Sequence, residues 1–355
     1  MNPTTRDPDP QKGKRTLSLK ILVRYPEGSP LVRDYYRGES HLARFFQGSF
    51  KDPASYLEKA REVDGRFHRS ARERVGSLIR PPSAAAGRQF QRFVEDGGYL
   101  VTTGQQPGLF GGPMYSLYKA LTAVKLAEAL EGILERPVLP LFWVGSEDHD
   151  WAEADHTHLL DRQNDLHTIR LPEPSGEPSR PLHRIELGDG LEDTLDEFLQ
   201  ILPETDFSPS FLTLFREAYS TGSTLASGFL HLMEGLLGHL PLLFAEAHDP
   251  ALKEASQPIL FRELDEAESH EALLHRVASH LELEGYSPQV PIMEEGVNLF
   301  LEGREGRDRL YRNGSEFRLN RAGTVLRREE IVAMAREDPC LLYTSDAADE
   351  EDSVD

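Results

Sequence analysis

Amphipathic stretches with helical spacing occupy the first part of the chain. Apolar side chains recur at mixed intervals of three and four over residues 31–50, 53–75 and 84–94, which predicts three helices. A turn at residues 96–98 then ends this pattern, and shorter, more continuous apolar runs follow. The change of period indicates that strands begin near residue 99.

The pattern of the next segment predicts a strand, a helix and a second strand. Residues 99–103 (YLVTT) form a short β-rich run, and a helical pattern extends from Pro113 to about Leu130. Residues 138–144 (VLPLFWV) are almost continuously apolar, as expected of a strand buried on both faces. A unit of this kind makes its two strands parallel, so the loops that follow them open at the same edge of the sheet. The pattern predicts an α/β fold.

Further elements follow the second strand. Residues 242–245 predict a third strand, with a helix starting near Ala251. Between them, about residues 155–240 are interpreted as a connecting insertion that holds two helices, Leu191–Ile201 and Ser210–Leu240. Later, residues 297–301 predict a strand, and residues 310–319 predict a hairpin around an Asn-Gly turn.

Both ends of the chain differ in composition from the rest. Residues 1–16 are polar and rich in proline and charge, which predicts disorder. Residues 340–355 (CLLYTSDAADEEDSVD) do not continue the preceding pattern and are interpreted as an artefactual tail, the alternative being a natural acidic tail. Residues 17–339 are therefore taken as the core.

Overall composition narrows the class of protein. The net charge of −21 argues against a nucleic-acid coat, which needs clustered lysine and arginine. No signal peptide and no run of 18 apolar residues is found, so no membrane association is expected. The single cysteine, Cys340, excludes a disulfide framework and fits a reducing, cytoplasmic compartment. To bind an anionic ligand, so acidic a protein would need local positive charge, from a helix N-terminus or from a few cationic side chains.

A glycine-rich loop lies between the first strand and its helix. Glycine allows close backbone approach to a ligand, and the free amides of a first helical turn form an anion site. Side-chain amides of glutamine, and a lysine one turn into the helix, can also contact an anion bound at this loop. The alternative is a tight turn that binds nothing. The predicted binding residues of this motif are Gly104, Gln105, Gln106, Gly108, Gly111, Gly112, Tyr115 and Lys119.

An acidic motif follows the second strand. The predicted catalytic residues are Glu147, Asp148, His149 and Asp150. One interpretation is Mg²⁺ bound together with a nucleotide. Another is Zn²⁺ or Fe²⁺ in an amide hydrolase, with His149, Glu153 and His156 on one face of a continuing helix. The third is a solvated helix N-terminus, where acidic residues are favourable without any ligand.

The two motifs together resemble one known family. Residues 103–113 (TGQQPGLFGGP) and residues 142–150 (FWVGSEDHD) are similar to the bacillithiol biosynthesis cysteine-adding enzymes. Residues 285–290 (GYSPQV) and residues 298–300 (NLF) continue the similarity, which adds Asn298 to the expected binding residues. Asp155 departs from the Asn found at that position in many members. The resemblance covers roughly residues 17–339.

The resemblance implies both a fold and an activity. It implies a Rossmann-like, mostly parallel sheet with a helical N-terminal segment, inserted connecting segments and a C-terminal coiled coil used in homodimerisation. That coiled coil is expected beyond residue 339 and is missing from this chain. Family members are thought to join cysteine to glucosaminyl-malate, both small-molecule substrates. Since amide formation needs an activated carboxylate, ATP is the expected cofactor, with Mg²⁺ as its possible companion.

The resemblance also assigns expected roles to the motifs. The glycine loop with Gln105, Gln106 and Lys119 would hold a phosphate or the malyl anion. The carboxylates of the acidic motif would bind Mg²⁺ or the cysteine ammonium. His149, with a side-chain pKa ordinarily near neutrality, would move protons. A non-catalytic truncated remnant is a further alternative.

Overall fold

The computed structural model describes residues 28–172, 180–188, 190–303 and 306–344, and the chain divides into two compact units after Gln47. The predicted disordered residues 1–16 lie outside the described ranges. In the first unit, α1 (Pro30–Arg37) is followed by a 3₁₀ turn, Ser40–Arg44. The prediction of one helix over residues 31–50 is wrong, because Gly38 adopts a left-handed φ of 80° and ends α1.

Three helices open the second unit. They are α2 (Pro53–Arg66), α3 (Arg69–Leu78) and α4 (Ala84–Glu95). The single helix predicted over residues 53–75 is therefore interrupted near Phe67, which has an extended backbone conformation. The side chain of Ser83 accepts a hydrogen bond from the Ala86 amide and fixes the start of α4, where the sequence predicted it.

In the described part of the chain, ten α-helices and β-strands follow, ending with the third parallel strand. They are β1 (Tyr99–Gln105), α5 (Tyr115–Leu134), β2 (Val138–Val144), α6 (Trp151–Ala154), β3 (His156–Leu160), β4 (Leu166–Arg170), α7 (Leu191–Ile201), α8 (Ser208–Ala218), α9 (Leu225–Leu237) and β5 (Leu243–Glu246). The region predicted as a connecting insertion thus holds a β-hairpin, β3–β4, that was not predicted. Its second predicted helix is two helices, separated around Gly222.

The parallel sheet has the order β1–β2–β5. The predicted parallel pairing of β1 with β2 is confirmed, with Gly104 opposite Trp143. The predicted third strand, β5, also pairs parallel to β2, with Phe142 opposite Phe244. Because β2 is central, both of its faces are covered. On one face, Leu139 and Leu141 pack with Phe90 and Phe93 of α4. On the other face, Phe142 and Val144 pack with Phe229 and Met233 of α9. The fold is the Rossmann-like α/β type that the sequence predicted.

A second sheet occupies the C-terminal part of the described chain. The long helix α10 (Pro250–Leu283) leads to β6 (Gly296–Gly303), β7 (Gly306–Asn313), β8 (Glu316–Leu319), β9 (Thr324–Arg327), α11 (Arg328–Glu337) and β10 (Leu342–Tyr343). These strands form an antiparallel sheet in the order β10–β6–β7–β8–β9. The predicted strand at 297–301 and the predicted hairpin are confirmed, while the complete sheet was not foreseen.

The second sheet packs against α10 through apolar side chains. Leu260 and Leu264 of α10 share a buried cluster with Val297 and Leu299 of β6. Strand β10 lies inside the segment that was interpreted as an artefactual tail, and residues 345–355 of that segment are outside the described ranges. Among the described helices, none has an apolar stretch long enough to cross a membrane.

The glycine loop is held in place by a tyrosine from the insertion. The hydroxyl of Tyr219 accepts a hydrogen bond from the Gly111 amide (3.1 Å) and donates to the Gly108 carbonyl (3.4 Å). Gly111 has a left-handed φ of 80°, and a Cβ on Gly108 would lie 2.3 Å from the Gly112 carbonyl oxygen. Burial raises the pKa of Tyr219, so its hydroxyl stays protonated and able to donate.

We expect Tyr219→Phe to lower the free energy of unfolding by about 1–2 kcal/mol, since it removes both hydrogen bonds at a fully buried position. Urea denaturation measures this change. Tyr118→Phe is the matched control, because Tyr118 is 66% exposed on α5 and its substitution should change stability by less than about 0.5 kcal/mol. Equal effects of the two substitutions would contradict the assigned role of Tyr219.

Candidate active site

The carboxyl ends of the three parallel strands meet at one edge of the sheet. Beyond the last paired residues, the Gly145 amide donates to the Gln105 carbonyl (2.9 Å), and the Ala247 amide donates to the Val144 carbonyl (3.0 Å). The glycine loop and the acidic loop therefore start side by side. This confirms the common edge that the sequence predicted from parallel strands.

A cavity of about 580 Å³ lies at this edge. It is within the size range of small-molecule sites. Of the predicted site residues, its lining includes Gly104, Gln105, Gln106, Tyr115, Lys119, Glu147 and Asp148. Additional walls come from the start of α10 and from the antiparallel sheet, through Lys253, Ser256 and Arg307. The cavity is thus built jointly by the parallel and the antiparallel sheet.

Lys119 is held at the end of β1 by the chain itself. Its Nζ donates to the Gln105 Oε1 (2.7 Å) and to the Gly104 carbonyl (3.2 Å). Gln105 Nε2 in turn donates to the Tyr115 hydroxyl (3.3 Å). Lys119 lies one turn into α5 and its side chain leans back toward the helix N-terminus, as predicted from helix geometry. Lys119 is an exposed residue and lines the cavity.

The start of α5 differs from the prediction. The helix begins at Tyr115 and not at Pro113, and the Ser116 amide donates to the Pro113 carbonyl (2.9 Å). The amides of Leu117 and Tyr118 donate to the Met114 carbonyl (3.2 and 3.4 Å). The amides of Ser116, Leu117 and Tyr118 are therefore already bonded within the chain, and they are not free to form the anion site that the sequence predicted at this helix N-terminus. The cationic side chain that α5 contributes to the described lining of the cavity is that of Lys119.

Glu147 and Lys253 form a buried ion pair at the floor of the cavity. Their side chains are in direct contact and are only 16% and 9% exposed. Burial raises the pKa of Glu147, while the ammonium of Lys253 acts in the opposite direction. Lys253 was not identified from the sequence, because no glycine-rich loop precedes its helix as one precedes the helix of Lys119.

The other acidic residues of the loop are engaged by backbone amides. Asp148, 7% exposed, accepts from the amides of His149 (2.7 Å) and Asp150 (3.2 Å). The side chain of Asp150 caps α6 by accepting from the Glu153 amide (2.9 Å). Among the described residues no group of three His, Cys, Asp or Glu side chains is placed to hold a metal ion. A Mg²⁺ site made by Glu147, Asp148 and Asp150 together does not fit this arrangement.

The helical face predicted for His149, Glu153 and His156 does not exist. Helix α6 ends at Ala154, and His156 begins strand β3. The Nδ1 of His156 lies 2.8 Å from a carboxylate oxygen of Asp155, which also pairs with Arg170. The four-residue helix is stopped because the hairpin β3–β4 follows at once. The arrangement proposed for a metal-dependent hydrolase is therefore wrong.

Four predicted binding residues lie away from the main cavity. Gly108, Gly111 and Gly112 line a neighbouring cavity of about 760 Å³, together with Glu153 and His156. Gln105, Gln106, Tyr115 and Asp148 line both cavities. Asn298 is elsewhere: its side-chain amide donates to Glu263 of α10 (3.2 Å), and it lines a separate groove beside that helix. The structure does not bring Asn298 to the site.

Two histidines contact Ser146, the residue that precedes Glu147 in the acidic loop. His183 and His248 stack with ring centroids 4.2 Å apart, and their Nδ1 atoms lie within hydrogen-bond distance of the Ser146 carbonyl (2.9 Å) and hydroxyl (2.7 Å), respectively. Burial lowers the pKa of His183 to about 4, so its ring is neutral at physiological pH. His183 therefore packs against His248 and contacts the Ser146 carbonyl behind the acidic loop.

Comparison with known proteins identifies relatives of the chain. Residues 19–344 match the family model "Bacillithiol biosynthesis BshC, N-terminal Rossmann-like domain". The "Putative cysteine ligase BshC" of Chlorobium phaeobacteroides is 33% identical over 282 residues, which cover 77% of this chain and 49% of that protein. The protein of the same name from Salinibacter ruber is 32% identical over 67% of this chain and 43% of its own length.

A third relative, from Heliobacterium modesticaldum, carries the same name and is 29% identical over 89% of this chain and 60% of its own length. The chain spans about half the length of the curated relatives that it matches. The matched region includes both motifs and both sheets described above. The chain belongs to the BshC family of bacillithiol biosynthesis proteins, and its residues 19–344 match the N-terminal Rossmann-like domain of that family.

Proposed function

We propose that this chain carries the substrate-binding core of a ligase that adds cysteine to glucosaminyl-malate in bacillithiol biosynthesis. The proposal is supported above all by the main cavity, which is lined by residues of both the glycine loop and the acidic loop. The relatives' names, "Putative cysteine ligase BshC", support a ligase. The reaction joins the carboxylate of one substrate to the amine of the other in the cytoplasm; the activated carboxylate carries a phosphate or AMP group, which leaves as the amide bond forms.

The distribution of charge in the cavity suits the two reacting groups. Three cationic side chains (Lys119, Lys253 and Arg307) and two carboxylates (Glu147 and Asp148) line it. In a chain with a net charge of −21, this excess of cations makes the site a local positive feature. An anionic carboxylate or phosphate would be attracted to these cations. Asp148 would attract an ammonium group. Holding both groups in one cavity would supply much of the rate gain, because it replaces a bimolecular encounter.

Activation of a carboxylate needs an energy source, and we propose ATP. Its phosphates would be held near Lys119, Gln105 and Gln106. A Mg²⁺ ion bound to those phosphates needs only one or two protein carboxylates, and the Asp148 carboxylate, which is among the lining residues, would be one of them. The ion would neutralise phosphate charge, while the residues of this chain orient the carboxylate and the amine. We further propose that the longer family proteins act as homodimers on these small-molecule substrates.

Lys119→Ala and Asp148→Asn are each expected to reduce product formation at least about 100-fold, since each removes a charge that faces the reacting groups. Mass spectrometry of reactions with cysteine, glucosaminyl-malate and ATP measures the condensation product. Reactions without ATP should give none. The thermal unfolding of both variants should match that of the unsubstituted chain.

Lys125→Ala is the matched control for the activity measurement. Lys125 lies on the same helix but is 77% exposed and paired with Glu128, so its loss should leave product formation unchanged. Full activity in both Lys119→Ala and Asp148→Asn would remove the assigned roles. Product formed equally well without ATP would refute the proposed cofactor.

Lys253→Met is expected to destabilise the chain by about 3–5 kcal/mol at pH 8, because it leaves the Glu147 carboxylate buried without its partner. Burial already raises the pKa of Glu147, and loss of the cation raises it further. The folded variant then binds a proton more tightly than the unfolded chain does, so stability falls as pH rises through the range above the unfolded pKa. The loss should therefore be smaller at pH 5 than at pH 8.

Chemical denaturation at the two pH values tests this prediction. Lys59→Met is the control, since Lys59 forms an exposed pair with Glu62 and should contribute less than about 1 kcal/mol at either pH. A loss in Lys253→Met that is independent of pH would contradict the assignment of a buried, unpaired Glu147.

A further inference from the structure

An exposed tryptophan lies in the central strand of the parallel sheet. Trp143 is 40% exposed, whereas the other six residues of β2 are buried. A strand at the centre of a parallel sheet is ordinarily covered on both faces. Trp143 lines the main cavity, so a ligand bound there would cover the exposed part of its ring. It belongs to the sequence motif at residues 142–150, but it was not predicted as a site residue.

The position of Trp143 along β2 explains why it is exposed. Side chains alternate between the faces of a strand, so Trp143 lies on the same face as Leu139 and Leu141. Those two leucines belong to the cluster that packs with α4, and Trp143 is not among the described members of that cluster. Trp143 is the last residue of β2 on this face, where the sheet meets the cavity.

Gly104 brings the side chain of Trp143 and the ammonium of Lys119 into one small region. It is the register partner of Trp143 on β1, and a Cβ added to it would lie 3.1 Å from the Trp143 Cβ. Its carbonyl also accepts a hydrogen bond from Lys119 Nζ (3.2 Å). Because neighbouring strands are only about 5 Å apart, the cation and the base of the indole side chain lie on either side of this glycine. Glycine also leaves the space beside Trp143 open.

Helix α10 supplies an apolar wall to the same cavity. Leu252, Ser256 and Leu260 all line the cavity, and their spacing of four residues places them on one face of the helix. The Ser256 hydroxyl donates to the Leu252 carbonyl (2.8 Å), so its polar group is satisfied within the helix. The cavity therefore has an apolar part, formed with Trp143, beside the polar part at Lys119.

We propose that Trp143 is the stacking platform for the sugar ring of a ligand whose carboxylate lies near Lys119. The ligand class is a glycoside of a small hydroxy acid. One face of a pyranose ring presents C–H groups, which pack on the electron-rich face of an indole, and its hydroxyl groups point outward from the rim. The inference rests on the proposed function for the identity of this ligand, glucosaminyl-malate.

The distance between the two subsites favours a sugar over a nucleobase. A nucleobase also stacks on tryptophan, but a ribose separates it from even the nearest phosphate of a nucleotide. In the sugar acid, a single glycosidic bond joins the ring to the acid. Since Trp143 and Lys119 meet at the same glycine, the ligand with the shorter connection fits them better.

Tryptophan fluorescence tests the contact directly, because the chain contains only two tryptophans. Trp151 packs against the buried cluster of the insertion, and its indole nitrogen has no hydrogen-bond partner in the described part of the chain. Trp151→Phe therefore loses no hydrogen bond and leaves Trp143 as the single reporter. Saturation of this variant with glucosaminyl-malate should shift the emission to shorter wavelength, because the ring displaces water from the indole. An unchanged spectrum at saturation, established by calorimetry, would overturn the proposal.

Affinity measurements test whether the flat ring of Trp143 matters. Trp143→Ala and Trp143→Leu should each weaken binding of glucosaminyl-malate at least about tenfold, whereas Trp143→Tyr, which keeps an aromatic face, should recover part of the loss. Malate has no sugar ring, so its affinity should stay within about twofold in all three variants. Ligand-observed NMR, which detects weak binding, measures malate. An equal loss for malate would overturn the proposal in favour of a general effect on the cavity.

Tyr118→Ala is the matched control. Tyr118 is 66% exposed on α5, directly before Lys119, and it is not among the described residues that line the cavity. Its loss should leave the affinity for glucosaminyl-malate within about twofold. ADP serves as the competing probe, and its affinity should not depend on Trp143. If Trp143→Ala weakens binding of ADP and not of glucosaminyl-malate, the platform holds a nucleobase and the sugar assignment is refuted.

Kinetics distinguish this inference from the proposed function. Trp143→Ala should raise KM for glucosaminyl-malate and leave KM for cysteine unchanged. Trp143-dependent binding in a chain that forms no condensation product would support the sugar subsite and count against the ligase. Product formation with an unchanged KM in Trp143→Ala would leave the ligase standing and overturn the subsite. Circular dichroism checks folding, and should Trp143→Ala not fold, Trp143→Leu and the fluorescence titration carry the test.

Discussion

The parallel contact between β1 and β2 is the constraint on which the site depends. At its carboxyl end the two backbones approach so closely that a Cβ on Gly104 would lie 2.7 Å from the Trp143 carbonyl oxygen. Glycine is therefore required where the sheet ends and the loops begin. Since the strands run in the same direction, their two loops leave at one edge, and every polar side chain of the cavity is placed relative to that edge.

At this edge of the sheet, the interactions of the charged side chains depend more on how deeply they are buried than on how many there are. Glu147 and Lys253 neutralise each other below the cavity, and Asp148 is held by two backbone amides. These contacts keep three ionisable groups ordered in a partly dry site, where unpaired charges would be costly. Lys119 and Arg307 enter from α5 and β7, so the positive side of the cavity comes from two different sheets and their helices. A ligand that bridges them would link the two halves of the unit.

Much of the parallel half could be predicted from the sequence, since its elements have local signals. Residues 138–144 are apolar enough to require burial on both faces, and the strand has those bounds in the structure. The antiparallel half contributes Arg307, and its position beside His149 depends on contacts between residues 158 positions apart. No local pattern encodes such a contact. The same reason explains the error at His156, where tertiary pairing of β3 with β4 overrides the helical spacing.

One cross-linking measurement tests most directly whether the two loops lie side by side. A Cβ added at Gly145 would lie 3.5 Å from the Gln106 Cα, which is within reach of disulfide geometry. With Cys340 replaced by serine, the pair Gln106→Cys and Gly145→Cys should oxidise to an intramolecular disulfide, detected by mass spectrometry. The pair Gln106→Cys and Gly132→Cys, which joins the loop to the far end of α5, should not. Equal yields from the two pairs, or none from the first, would contradict the common edge.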